Sequence, residues 1–246
     1  MTADLEVTTA TYGTDAQAID IYQPAPTAGP APVVLLWHGV GPDERDVLAP
    51  LARAAAGLGL LVCVPDWRPD AEDGGRAHLL DSLRYVRDHA ASHGGDPDRT
   101  VLAGWSAGAS PAISIALAPD AVDGWRPTAA VGIAGRYDRP SRITGTSPLT
   151  ELSRTTAVPP RPIRLVHGTT DTQVSAHHST ELRDALHSHG WPAHLETPAS
   201  DHAGVIMTEY DPHLNRCRPT RIPHAHQAGR TTATTLATAA SATTSP

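Results

Sequence analysis

Ser106 lies within Gly104-Trp105-Ser106-Ala107-Gly108, directly after the apolar run 100–103 and ahead of a stretch of small residues. That order predicts a strand, a sharp turn and a helix, with the serine on the turn. Glycine on either side lets the strand and helix backbones approach where a Cβ would collide. A hydroxyl presented there is a nucleophile if a base removes its proton. His202, in Asp201-His202-Ala203-Gly204 after the weaker run 193–196, is the expected base. Asp171, in His167-Gly168-Thr169-Thr170-Asp171 after the run 163–166, is the expected carboxylate that fixes the base's tautomer and stabilises its imidazolium. With 14 histidines in the chain, position at a strand end singles out His202, not residue type.

An oxyanion that develops during attack on a carbonyl needs at least two aimed donors. His38-Gly39-Val40-Gly41 follows the apolar run 33–37, where a loop can present backbone amides, and the expected donors are Ala107 with Val40 or Gly41. His38 reads as a brace for that loop. Asp138, after the run 129–134, is a rival acid presented from the preceding strand; Asp171 is preferred. Asp201 reads as a loop cap, because sequence neighbours rarely face each other productively. Trp105, Trp67, Val40 and Val174 are candidate pocket walls, although core packing is the commoner fate of a buried Trp or Val.

Composition removes several other chemistries. No lysine occurs in the 246 residues, so Schiff bases, phosphate loops ending in Lys and Ser-Lys dyads are excluded. The formal charge of −7 is spread without a basic block, which argues against nucleic acid or an anionic membrane as partner and leaves a small molecule. Residues 1–13 lack a secretory pattern, and no stretch approaches the roughly 20 apolar residues of a membrane span, so a cytoplasmic protein is expected. Cys63 and Cys217 are too few for a disulfide framework or a thiolate cluster. His177-His178, His187 with His189, and His224 with His226 lack a carboxylate at ligand spacing, so no metal site is expected.

The elements that must position these residues follow from periodicity. Residues 5–22 read as a leading antiparallel hairpin and 24–32 as a linker. Apolar runs at 33–37, 60–64, 100–103, 129–134, 163–166 and 193–196 read as strands buried on both faces. Helical patterns at 44–58, 76–93, 107–117 and 176–189 separate them, which predicts an α/β chain with a mostly parallel, doubly wound sheet. Ligands of such sheets bind beyond the carboxyl ends of the strands, where the candidates above fall. Residues 1–230 are expected as a single domain and 231–246 as an Ala/Thr-rich tail, either the end of a last helix or disordered.

With these residues in place, the chain resembles the carboxylesterase branch of the α/β-hydrolase superfamily, near hormone-sensitive-lipase-like and feruloyl-esterase-like esterases and kynurenine formamidases. The resemblance covers most of residues 12–204. Besides the serine turn it rests on Ala18-Ile19-Asp20-Ile21-Tyr22-Gln23-Pro24, His38-Gly39, Gly94-Gly95-Asp96-Pro97-Asp98-Arg99, Ser147-Pro148-Leu149 and the Asp171 and His202 segments. It implies an α/β-hydrolase fold with a small cap or none, no cofactor, and a small ester cleaved through an acyl-enzyme by a Ser-His-Asp triad. Aryl formamidases, thioesterases and small peptidases use the same triad, and a catalytically silent ligand-binding protein is the alternative from another class. Two departures bear on substrate. Val40 occupies what is usually a second glycine, and the short 138–162 segment leaves room only for a small cap over an open, shallow pocket.

Overall fold

The computed structural model describes residues 5–26, 28–154 and 158–241. Its centre is an eight-stranded sheet of order β1-β2-β4-β3-β5-β6-β7-β8. The strands are β1 Val7–Tyr12, β2 Gln17–Tyr22, β3 Ala31–Trp37, β4 Leu61–Pro65, β5 Gly95–Trp105, β6 Ala129–Ile133, β7 Ile163–Val166 and β8 Ala193–Glu196. β1 and β2 form the antiparallel hairpin expected at the start, and β2 pairs antiparallel with β4. From β4 to β8 every pairing is parallel.

Alternation along the strands sorts their side chains between two helical layers. On β3, Val34 and Leu36 pack with α1 (Arg45–Ala56) and α6 (Pro223–Ser241). Val33, Leu35 and Trp37 pack on the other face, with α2 (Arg76–His89) and α3 (Ala109–Leu117). That second layer continues through α4 (Pro148–Arg154) and α5 (His177–Ser188) beside β6 and β7. Right-handed crossovers between parallel strands account for helices on both faces.

Three expectations need correction or completion. β8 is half-buried to exposed and not enclosed on both faces, because it is the sheet's last strand. Helix α4 and a second hairpin, β9 (Thr208–Asp211) with β10 (Arg216–Pro219), escaped the periodicity. Both are too short to build a repeat of apolar positions. Residues 223–241 form one helix whose Ala233, Leu236 and Ala239 bury against Ala203, Val205 and Ile206. Burial of Leu236 alone contributes about 2 kcal/mol, so this helix braces the segment that follows His202. The expectation for the end of the chain falls in part on residues 242–246, outside those described. Among the described residues no helix is long and apolar enough to cross a membrane.

Candidate active site

Ser106 begins a short 3-10 turn between β5 and α3, with φ of +53°. A left-handed conformation is strained for a residue with a Cβ and persists only where its surroundings fix it. The flanking glycines supply that constraint. A Cβ on Gly104 would run into the backbone of Gly108, and one on Gly108 would stand 2.5 Å from the Trp37 carbonyl oxygen. Strand and helix therefore close on the serine from both sides.

The loops after β7 and β8 reach this turn. The Ser106 hydroxyl lies 3.0 Å from His202 Nε2, and His202 Nδ1 lies 2.7 Å from Asp171 Oδ2. Facing a carboxylate, Nδ1 carries the ring hydrogen, so Nε2 accepts from the serine. Trp105 braces the histidine: its Nε1 donates to the His202 carbonyl at 3.0 Å and the two rings lie 5.1 Å apart. Asp201 Oδ1 accepts from the Gly204 amide at 2.7 Å, the cap expected of it.

Asp171 is held from all sides. Its Oδ1 accepts from the amides of Gln173 (2.9 Å) and Val174 (2.8 Å), and its Oδ2 accepts from His202 and from His167 Nε2 at 3.2 Å. Burial works to raise its pKa, but the bonds from His167, His202 and the Val174 amide overcome this and hold the carboxyl well below the usual range. His167 is wholly buried; its Nε2 also donates to the Val174 carbonyl at 2.9 Å, and its Nδ1 faces the Ser179 hydroxyl at 2.7 Å. Sequence reasoning quoted His167 only as part of a motif. Its position four residues before the acid, at the end of the same strand, was the available signal. Asp138, the rival acid, instead forms a two-point ion pair with Arg136 at 2.8 and 3.1 Å and has His178 at 3.6 Å.

The loop after β3 is fixed differently. The His38 ring, fully buried, lies 5.5 Å from the Trp67 ring, its Nδ1 donates to the Gly39 carbonyl at 3.1 Å, and Trp67 Nε1 donates to the His38 carbonyl at 3.2 Å. Burial lowers the His38 pKa to about 4, against the raising effect of the Gly39 bond, so the ring is neutral near pH 7. Gly41 is not a free donor. Its amide is taken by Glu44 Oε2 at 3.1 Å, so of the donors expected from the sequence Val40 and Ala107 remain.

Beside Ser106 and Ala107 opens a cleft of about 250 Å³, with Val174 on its wall. Trp105 and Trp67, expected as walls, do not line it. Both are buried, one under His202 and the other under the His38 loop, where each indole N–H finds a carbonyl. Val40, also expected as a wall, is 69% exposed and does not line the cleft. Sequence reasoning also missed Arg136, Arg139 and Arg142, which line the cleft; three arginines within seven residues at the carboxyl end of β6 were a legible signal. Three of the histidines weighed as metal ligands serve locally: His187 Nε2, His189 Nδ1 and His226 Nε2 each bond a nearby backbone carbonyl.

A serine on a left-handed turn between strand and helix, at the carboxyl edge of a sheet entered by an antiparallel hairpin, defines a class of architecture, and this chain has the α/β-hydrolase fold. Over 96 residues it is 38% identical to carboxylesterase NlhH of Mycobacterium tuberculosis, a match that spans 37% of the chain and only 30% of that relative. Solved structures overlay almost the whole molecule at lower identity. A thermostable esterase from Pseudomonas putida ECU1011 matches with a TM-score of 0.72 at 16% identity, over 98% of this chain and 85% of that one. Thermogutta terrifontis esterase 2 phosphoramylated by tabun matches with a TM-score of 0.70 at 19% identity, over 100% and 98%. A putative dienelactone hydrolase from Klebsiella pneumoniae gives 0.69 at 18%, over 95% and 98%. None of the protein-family models matches the chain.

Proposed function

We propose that this protein is a serine hydrolase that cleaves a small carboxylic ester through an acyl-enzyme on Ser106. The observation that carries the reading is the unbroken line from Ser106 Oγ to His202 Nε2 at 3.0 Å and from His202 Nδ1 to Asp171 Oδ2 at 2.7 Å. The esterase names among the similar proteins support the same reading.

In this mechanism Ser106 Oγ attacks the ester carbonyl as its proton passes to His202 Nε2. The imidazolium forms beside a carboxylate that stays ionised, so the charge it gains has a partner already in place. The amides of Ala107 and Val40 receive the oxyanion. His202 then returns the proton to the departing alcohol, and a water activated by the same nitrogen releases the acid. Gly41, with its amide committed to Glu44, sets the loop's shape.

Ser106→Ala is expected to lower p-nitrophenyl acetate turnover by about 10⁴-fold or more. Undiminished turnover in that variant removes the mechanism. Covalent labelling of Ser106 by a fluorophosphonate separates an active hydrolase from a silent binding protein of the same fold.

A further inference from the structure

The cleft beside Ser106 is lined by three arginines and no carboxylate. In a chain whose acids outnumber its bases, with a formal charge of −7, such a local excess of cations is not a sample of the average surface. The three differ in how their charge is met. Arg136 is neutralised by its two-point pair with Asp138. Arg139 is exposed and forms no ion pair among the described residues. Arg142 is half-buried and, among the described residues, held only by neutral groups: its Nη1 donates to the Gly74 carbonyl at 2.9 Å and the Pro69 carbonyl at 3.3 Å, and its guanidinium carbon lies 5.3 Å over the Trp67 ring.

Carbonyls and an indole face hold a guanidinium in place without cancelling its charge. Gly74 keeps the room for it, with φ of +69° and space where a Cβ would stand 2.8 Å from Arg142 Nη1. The Ser110 hydroxyl, also in the cleft lining, is buried and has no hydrogen-bond partner among the described residues. Two cations without an acid and a hydroxyl without a partner therefore share one wall of the cleft that holds Ser106. A ligand oxygen in the cleft would give that hydroxyl the partner it lacks.

We propose that the cleft selects esters that carry a carboxylate, bound by Arg139 and Arg142 with Ser110 as an additional donor. This rests on the serine-hydrolase reading and names its substrate class. A planar guanidinium meets a carboxylate through two parallel N–H bonds, which fixes both the distance and the plane of the substrate relative to Ser106. The recognised group lies on the part of the ester that occupies the cleft.

The test compares monomethyl glutarate with its uncharged isostere, methyl glutaramate, by methanol release in low salt. The carboxylate ester is expected to have a kcat/KM roughly tenfold higher, with the difference in KM. That ratio is expected to fall toward unity in Arg142→Gln, to fall partly in Arg139→Gln, and to shrink in the wild type at about 0.5 M salt. Equal kcat/KM for the two esters in the wild type overturns the anion site and leaves the hydrolase standing if p-nitrophenyl acetate is still turned over. Failure to hydrolyse any of the three esters overturns the hydrolase reading and this one with it. A preference that survives both substitutions assigns the selectivity away from these arginines. Arg139 is exposed, so its variant is informative even where loss of the Arg142 contacts prevents folding.

Discussion

Two loops at the carboxyl edge of the sheet begin with the same dipeptide. His38-Gly39 follows β3 and His167-Gly168 follows β7, and both rings are fully buried. His38 spends one ring nitrogen on its own loop and leaves Nε2 without a partner among the described residues. His167 has a partner at both nitrogens and touches the acid of the site. The first ring shapes a stretch of backbone, while the second takes part in an electrostatic chain that ends at Ser106. The motif is thus a statement about where a loop leaves a strand, and the chemistry comes from what faces the ring.

The largest expected effect breaks the chain at its carboxylate. Asp171→Asn keeps the two amide bonds to Oδ1 but presents a neutral group to His202 and permits the wrong tautomer, so kcat for p-nitrophenyl acetate is expected to fall about 10⁴-fold. A loss below tenfold would return Asp138 to consideration. The two loops would then no longer differ in the way described.

The contrast also has a thermodynamic form. His38 titrates near 6.5 when unfolded and at about 4 when folded, so between those values the unfolded chain binds more protons and stability falls as pH is lowered. The full interval corresponds to about 3 kcal/mol. His38→Gln lacks this component. Its stability relative to wild type, followed by urea unfolding, is therefore expected to improve by about that amount from pH 7 to pH 4. Parallel pH curves for the two proteins would mean that the ring is not held neutral by burial.

Much of this was legible in the chain. The apolar runs located the parallel strands because strands buried on both faces leave uninterrupted hydrophobic stretches, and reading just beyond each run brought out Ser106, Asp171 and His202, which the fold draws together. What stayed hidden depended on partners distant in sequence. The loss of Gly41 as a donor requires the Glu44 side chain to turn back on the loop. Trp67 and Trp105 looked like pocket walls because an indole beside a site motif can face either way, and only packing shows that they support His38 and His202 from below. The arginines of the cleft were overlooked because a mixed run such as Arg136-Tyr137-Asp138-Arg139 reads as solvated until one sees which charges pair.

The finest discrimination between the loops is the contribution of the His167 ring itself. Its Nε2–H is shared between the Val174 carbonyl and Asp171 Oδ2, and it sits across that oxygen from His202. If the ring merely fills space, His167→Gln costs stability and little else. If it aims the carboxylate, the variant loses the shared donor and the carboxylate can rotate off the His202 line, a displacement of the kind that costs up to about 10²-fold in rate when it reaches 1 Å. The expectation is a kcat lowered ten- to a hundredfold with a much smaller change in KM, because the His167 ring itself does not line the cleft. His38→Gln, at a ring that bonds its own loop and not Asp171, is expected to alter kcat by less than the His167 variant at pH 7. A lowered melting temperature with kcat intact in His167→Gln would assign the ring to packing alone and make the two histidines equivalent.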